Sequence, residues 1–308
     1  MSEIANDRNR EEVAPCECDQ VVLVSVVIPT YNRTDCLLAA LDSFLQQDYR
    51  TYEIIVVDQS EEISDQKRRF YEANPQIRVH RLDRPNRCYA KNTGVRLAKG
   101  EIVLICDDDI VVPRELITKH IKHYEDERVG AGSCRLVEDG QSTTYTTNVL
   151  RITPYGRIIQ NAHSMTSIDD VGMTNGGNMS FRRQLILDVG LFSERLVGTG
   201  IMEEPDVCLR IRKLGHRIFF DATTTVHHYP QVNGNVAEID TNRAHWFYGY
   251  FYNLALYWKT NGRYVELILS VPYVGLLALK QFVKHKLSFS DYLYMVRGYF
   301  DGMFDRAQ

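Results

Sequence analysis

The sequence predicts an α/β fold: a mostly parallel sheet flanked by helices, with a helical extension toward the C-terminus. Three observations carry this. Short apolar, β-branched runs alternate four times with segments of helical spacing, the pattern of parallel strands joined by right-handed helical crossovers. The run Val103-Leu104-Ile105-Cys106 ends abruptly in Asp107, Asp108 and Asp109, and in open α/β sheets ligands bind beyond the carboxyl ends of such strands. From residue 241 the composition turns aromatic and apolar, with Trp246, Phe247, Tyr248, Tyr250, Phe251 and Tyr252 crowded together.

Taken in order, residues 21–28 are rich in β-branched side chains and close at Pro29, which cannot continue a ladder, so they form the first strand. The loop Pro29-Thr30-Tyr31-Asn32-Arg33 follows. Leu37, Leu38, Leu41, Phe44 and Leu45 keep helical spacing and predict a helix over 34–47 that covers the sheet. Residues 52–57 give a second strand, topped by Asp58-Gln59-Ser60, and a polar helix runs from about 64 to 74. A third strand is expected over 77–82 and a third helix over 88–98, with Lys99-Gly100 as a stop before the strand 101–106.

Beyond the acidic triplet, Pro113 suits the first turn of a helix reaching about residue 126, with Ile117, Ile121 and Tyr124 as its buried stripe. Residues 130–136 read as a strand. The stretch 138–170 is polar and irregular, with scattered strands, and unpatterned segments of that length are often functional. In Thr174-Asn175-Gly176-Gly177-Asn178 the paired glycines permit a turn or a close approach to a ligand. A helix opens at Met202-Glu203-Glu204-Pro205-Asp206, continues through Val207, Leu209, Ile211 and Leu214, and stops at Gly215. A short strand at 216–220 precedes Val226-His227-His228-Tyr229-Pro230. Helices are expected over 244–259 and 265–285.

Composition narrows the function. With 308 residues, 44% hydrophobic and 25% charged, the chain supports one sizeable core and an accessory segment. A net charge of −4 supplies no basic field, so nucleic acid is not an expected partner. Seven scattered cysteines fit reduced cytosolic thiols, and Cys16 with Cys18 lacks the second ligand pair of a zinc site. Residues 1–20 are polar, without the apolar region of a signal peptide, and are expected to be a disordered leader. The apolar run 267–279 contains Ser270, Pro272 and Gly275 and falls short of the about 20 residues needed to span a bilayer. Beside Lys280, Lys284, His285 and Lys286 it suits either an anionic membrane surface or a helical cap on the domain or on a second subunit. The expected organisation is a leader over 1–20, one α/β domain over 21–235 and a helical, aromatic-rich segment over 236–308.

The triplet carries the chemistry. If the chain stays extended past Cys106, Asp107 and Asp109 point one way and Asp108 the other. Two converging carboxylates repel unless a cation lies between them, and Mg²⁺ or Mn²⁺ prefers oxygen ligands. A bare acidic triplet is more often a solvated turn, but its place at the end of a buried strand favours the ligand site. There is no Walker loop, no Gly-x-Gly-x-x-Gly fingerprint and no His-Glu-x-x-His motif, which disfavours a P-loop phosphotransferase, a Rossmann dehydrogenase and a zincin.

Several ordered motifs between residues 24 and 230 resemble those of the inverting glycosyltransferases of family 2, which have the GT-A fold with its Rossmann-like sheet. Val-Ser-Val-Val-Ile-Pro-Thr-Tyr-Asn-Arg at 24–33 is similar to the family's first strand and nucleotide loop. Val-Val-Asp-Gln-Ser at 56–60 is similar to its second strand, and Ala-Lys-Asn-Thr-Gly at 90–94 resembles its Ala-Arg-Asn-x-Gly helix. Residues 107–109 resemble its metal-binding triplet, and Gly-Gly-Asn-Met-Ser-Phe-Arg-Arg at 176–183 its acceptor-side segment. Glu203-Glu204-Pro205-Asp206-Val207-Cys208-Leu209-Arg210 stands where the family usually has Glu-Asp-x-Asp-Leu-x-x-Arg.

The resemblance implies a catalytic base at Glu204, with Glu203 as the alternative and Asp206 in the same motif. It implies Asp109, Asp107 and His228, favoured over His227, as ligands of Mn²⁺ or Mg²⁺. Pro29, Thr30, Tyr31, Arg33, Asp58, Lys91, Asp107 and Asp108 would bind the nucleotide, and Gly176, Gly177, Asn178 and Arg210 the donor or acceptor sugar. The implied reaction is inverting transfer from a nucleoside-diphosphate sugar, UDP-linked in preference to dTDP-linked, to a hydroxyl of a saccharide or glycolipid. The expected location is the cytoplasm or the inner face of the plasma membrane, with an oligomer allowed. A metal-dependent phosphohydrolase of nucleotide diphosphates and a catalytically silent nucleotide-binding subunit are the rival readings.

Overall fold

A computed structural model describes residues 22–198, 200–229 and 243–305. The expected leader, Pro230 and the boundary at 235/236 lie outside them. Strands β1 (Val24–Thr30), β2 (Tyr52–Asp58), β3 (Ile77–Arg81) and β4 (Ile102–Cys106) pair in parallel, β1 lying between β2 and β4. The sheet continues through β9 (Asn178–Arg182), β6 (Val129–Glu138), β10 (Arg217–His228) and β5 (Ile110–Val111), giving the order β3-β2-β1-β4-β9-β6-β10-β5. Helices α1 (Thr34–Phe44), α2 (Asp65–Ala73), α3 (Arg87–Leu97) and α4 (Leu116–His123) fall between the strands as expected. A small hairpin of β7 (Arg151–Ile152) and β8 (Ile158–Ile159) supplies the scattered strands of the irregular stretch.

The continuous apolar runs arise because the central strands are covered on both faces. Val26, Ile28, Ile54, Val56 and Leu104 pack with Leu37, Leu41 and Phe44 of α1 and Leu116 and Ile117 of α4. The alternate positions Val27, Ile55, Val57, Val103 and Ile105 enter a second core. That core includes Val95 of α3, Ile186 of α5 (Arg183–Asp188), Val207 and Ile211 of α6 (Glu203–Lys213), and Phe251 of α7 (Arg243–Thr260).

The structure departs from expectation in three places. The glycine-containing segment, expected as a turn or ligand loop, leads into a strand, β9, antiparallel to both β4 and β6 within the mostly parallel sheet. Met179 and Phe181 enter the second core while the opposite face of β9 is polar yet buried, with Asn178 Oδ1 accepting from Cys134 N at 2.7 Å and Ser180 Oγ bonded to His120 Nδ1 at 2.8 Å. On α4 the buried stripe is Leu116, Ile117 and His120, with Tyr124 at the cap; His120 is inside because Ser180 meets its ring, and Ile121 is only partly covered.

The third departure lies after α7. Helix α8 (Tyr264–His285) matches the helix expected over 265–285, but where the apolar run 267–279 falls short of a span, the 22-residue helix through Pro272 is by length and composition long and apolar enough to cross a membrane. Helix α9 (Phe289–Phe304), opened by a capping box of Ser288 with Asp291, was not expected. α7 is tied to the rest of the fold by Asn253, which exchanges two hydrogen bonds with the Val197 backbone at 2.9 Å each. Gly298 and Gly302 bring α9 against α7 so closely that a Cβ at either position would collide with the backbone of Tyr248 or Tyr252.

Candidate active site

The triplet leaves the sheet through a turn at 108–109 rather than by extended chain, and the alternation expected past Cys106 is not kept, since Arg33 Nη1 contacts both Asp108 and Asp109. Asp108 turns toward the end of β1, accepting from Thr30 Oγ1 at 2.6 Å and from Arg33 Nη1 at 3.0 Å. Asp107 is met by Arg87, and Asp109 is shared between Arg33 and His228. β5 follows the triplet immediately and pairs with the end of β10 so that Ile110 lies opposite His228, which brings the imidazole to Asp109 with Nε2 3.3 Å from Oδ1. His227, the next residue along the strand, is exposed and stacks with Tyr229. One ligand atom from each of Asp107, Asp109 and His228 lies within 4.8 Å of the others.

Charge in this cluster is unevenly shared. Burial, reinforced by the neighbouring carboxylates, pushes the Asp108 carboxyl up to about 6, against the pull of Arg33 and Thr30. Burial alone would raise Asp109 too, but His228 and Arg33, the latter 2.7 Å away, hold it below the usual range. His228 is raised to about 9: burial works against its proton, and Asp109, Asp107 and Glu138, whose Oε1 is 3.1 Å from Nδ1, outweigh it. The cluster therefore attracts a cation. Asp109 Oδ1 is buried and, beyond its ion pair with His228, has no hydrogen-bond partner among the described residues. Two carboxylates and an imidazole around such an oxygen fit a divalent metal ion.

The second half of the site is the head of α6, where Met202 takes a left-handed φ of 86° and turns the chain into the helix. Glu203 is buried, with Lys91 Nζ at 2.5 Å, Arg87 Nε at 3.3 Å and Cys88 Sγ donating at 3.2 Å. Burial would raise this carboxyl, but Lys91 and Arg87 keep it below its ordinary value. Glu204 is partly accessible and makes no ion pair among the described residues; burial and the adjacent charge of Glu203 push it up to about 7, against the weaker pull of Lys91 and Arg87. Gly176 gives it room, since a Cβ there would lie 2.6 Å from Glu204 Oε1. Gly177 accepts from the Asp107 N–H at 3.2 Å, and Arg87 Nη2 reaches Asp107 Oδ1 at 3.4 Å, so both link the two halves.

The remaining sequence-derived residues fall into two groups. Pro29, Thr30, Tyr31 and Arg33 sit at the end of β1 beside Asp108, and Asn178 follows the two glycines into β9. Four residues are engaged elsewhere. Lys91, expected at a diphosphate, is only 1% exposed because Glu203 neutralises it inside the core. Asp58 is buried against Lys67 Nζ at 3.0 Å and Ser60 N at 2.8 Å. Asp206 accepts from Arg210 at 2.6 Å and Asn261 at 2.8 Å, and Arg210 also donates to the carbonyls of Val189 and Leu191.

Sequence reasoning missed Arg87, Lys67 and Glu138. Arg87 was legible as the i,i+4 partner of Lys91 on one helix face; the other two act across elements distant in sequence. Next to Glu138 a cleft of about 520 Å³ opens, lined among others by Leu136, Asn148, Arg157, Gln160 and Asn161.

The model of the family described as Glycosyl transferase family 2 matches residues 25–190, more than half of the chain. Glycosyltransferase GlyG of Streptococcus pneumoniae is 37% identical over 101 residues, 31% of this chain and 33% of GlyG, so this chain spans about a third of that relative's length. A glucosyl-dolichyl phosphate glucuronosyltransferase of Haloferax volcanii is 27% identical over 224 residues, 67% of this chain and 68% of that protein. Among solved structures, a mannosyltransferase of Pyrobaculum calidifontis in complex with GDP-Man and Mn²⁺ superposes with a TM-score of 0.57 at 19% identity, over 92% of this chain and 88% of that one. The architecture is that of the GT-A glycosyltransferases, with a C-terminal helical region.

Proposed function

Because this chain belongs to glycosyl transferase family 2, we propose that it moves a sugar from a nucleoside-diphosphate sugar to an acceptor hydroxyl by a single inverting displacement. One arrangement carries the reading: the Asp107, Asp109 and His228 cluster beyond β4 is joined through Arg87 to the glutamate pair at the head of α6. A UDP-sugar is the favoured donor, ahead of a dTDP-sugar, and the acceptor is a saccharide or a lipid-linked sugar. Catalysis is assigned to residues 21–235, in the cytoplasm.

Asp107, Asp109 and His228 would hold Mn²⁺ or Mg²⁺, which when bound supplies Lewis-acid stabilisation to a departing diphosphate. The chain's own groups do the rest. Asp108, fixed by Thr30 and Arg33, braces the loop in which Pro29, Thr30 and Tyr31 frame the nucleotide, and Asp58 locked to Lys67 forms the floor beside it. Arg87, one-third exposed and in contact with Asp107, offers its guanidinium to the diphosphate in place of the buried Lys91.

An acceptor hydroxyl is a weak nucleophile until its proton is removed. Glu204, with a carboxyl near neutrality, takes that proton as the oxygen attacks the anomeric carbon from the face opposite the leaving group. Glu203, charged against Lys91, keeps Glu204 in this range. Amide, carboxylate and guanidinium groups lining the cleft beside Glu138 suit a hydroxyl-rich acceptor.

A thermal-shift screen of UDP-, dTDP- and GDP-sugars with Mn²⁺ identifies the donor. Release of nucleotide from that donor should then rise when acceptor is added. Release at the same rate with water alone, across a panel of saccharide and lipid-linked acceptors, would favour the phosphohydrolase.

A further inference from the structure

Helix α8 carries two apolar stripes. Leu267, Ser270, Val274, Ala278 and Gln281 recur every three or four residues and are buried, with Ser270 Oγ 2.6 Å from the Tyr299 hydroxyl of α9. On the opposite side Val265, Ile268, Leu269, Leu276, Leu279 and Val283 form a second row, each between 46% and 69% exposed, with Pro272 in the same row. At 1.5 Å per residue the row extends over about 27 Å. Single exposed apolar side chains are ordinary, but an unbroken helical row of them marks a surface that meets something apolar.

Charge identifies the occupant. Lys280 and Lys284 flank the C-terminal half of the row and Lys286 follows it, all exposed. The carboxylates of α8 and α9, and the one that follows α9, are already engaged within the chain: Glu266 with Arg263, Asp291 with Ser288, Asp301 with Tyr248 and Arg297, and Asp305 with Arg195. A second copy laid on this row would bring the lysines no free acid from these helices, whereas anionic headgroups would.

We propose that this face of α8 docks on an anionic lipid surface, its apolar row in the acyl boundary and its lysines among the headgroups. The helix lies in the plane of the interface rather than across it, because its other face is fixed to α9 and is not available to lipid. This inference stands apart from the transfer chemistry, and its test needs no activity.

The test is co-sedimentation of the full chain with vesicles of phosphatidylcholine alone or with about a third phosphatidylglycerol. Binding should be strong with the anionic vesicles, weak with the neutral ones, and reduced by salt. Leu276→Gln with Val283→Gln, both at exposed positions, should weaken it at least about tenfold with the far-UV circular dichroism unchanged. Lys280→Gln with Lys284→Gln should weaken it by roughly fivefold per lysine on anionic vesicles only. No binding by the parent chain, or binding that neither pair of substitutions alters, would overturn the proposal. So would a lipid-free dimer in sedimentation velocity that Leu276→Gln dissociates, since the row would then belong to a second copy.

Discussion

Lys91 Nζ lies 2.5 Å from Glu203 Oε1 with both side chains buried, and this contact separates the two adjacent glutamates at the head of α6. One is a fixed anion; the other, raised to about 7, is able to take up and release a proton near neutrality. Sequence alone left the two as rivals, because Lys91 stands far from them in the chain.

The first prediction separates them by substitution. Glu204→Gln should abolish transfer while nucleotide binding, read by thermal shift, persists. Glu203→Gln leaves the Lys91 ammonium buried without its anion and should cost roughly 3–5 kcal/mol in urea unfolding. A stable Glu203→Gln protein devoid of transfer, beside an active Glu204→Gln protein, would reverse the assignment.

The second prediction concerns pH. Glu204 must be ionised to accept a proton, so the transfer rate should rise through pH about 7. Its folded carboxyl is raised above the unfolded value, so its contribution to stability is full at acid pH and is lost as pH climbs through about 7. Glu204→Gln should therefore melt above the parent at pH 8, and the difference should vanish as the pH is lowered below the ordinary carboxylate range.

A third concerns Gly176, whose φ is not in the left-handed region, so alanine there strains no backbone. Its Cβ would displace the end of the Glu204 side chain instead. Gly176→Ala should keep stability within about 1 kcal/mol and reduce kcat by roughly 10- to 100-fold. A large fall in Tm would show that the glycine serves the fold rather than the carboxylate.

The metal cluster supplies the fourth. Mn²⁺ should raise the Tm of the parent and chelation should reverse it. Asp109→Ala should remove the shift and metal-dependent transfer together, and His228→Ala should weaken the shift. A full Mn²⁺ shift in Asp109→Ala would move the ion elsewhere.

What the sequence made legible follows from which forces act locally. β1, β2 and β4 were readable because burial on both faces demands unbroken apolar runs, and the triplet because carboxylates rarely follow such a run without a ligand. His228 was indicated by the family resemblance alone; its convergence with Asp109 depends on β5 pairing with β10, a two-residue strand that no local pattern announced. β9 was not readable, because its Asn178 and Ser180 are satisfied by Cys134 and His120 from elsewhere in the chain, which makes a central strand look like a polar loop. Lys91 was placed by motif at the diphosphate although its charge is matched inside the core, a contact set by tertiary packing. α9 carried a readable sign in Ser288 and Asp291, a capping box ahead of an aromatic helix.

The central claim is inverting transfer with Glu204 as base, and the most direct measurement is the anomeric configuration of the first product formed. The nucleotide sugar that most raises the Tm with Mn²⁺ would be incubated with a large amount of enzyme, and the anomeric proton of the initial product followed by NMR. An α-linked donor should yield the β anomer first, with the signal absent in Glu204→Gln. An initial α product would contradict the single displacement and the role given to Glu204.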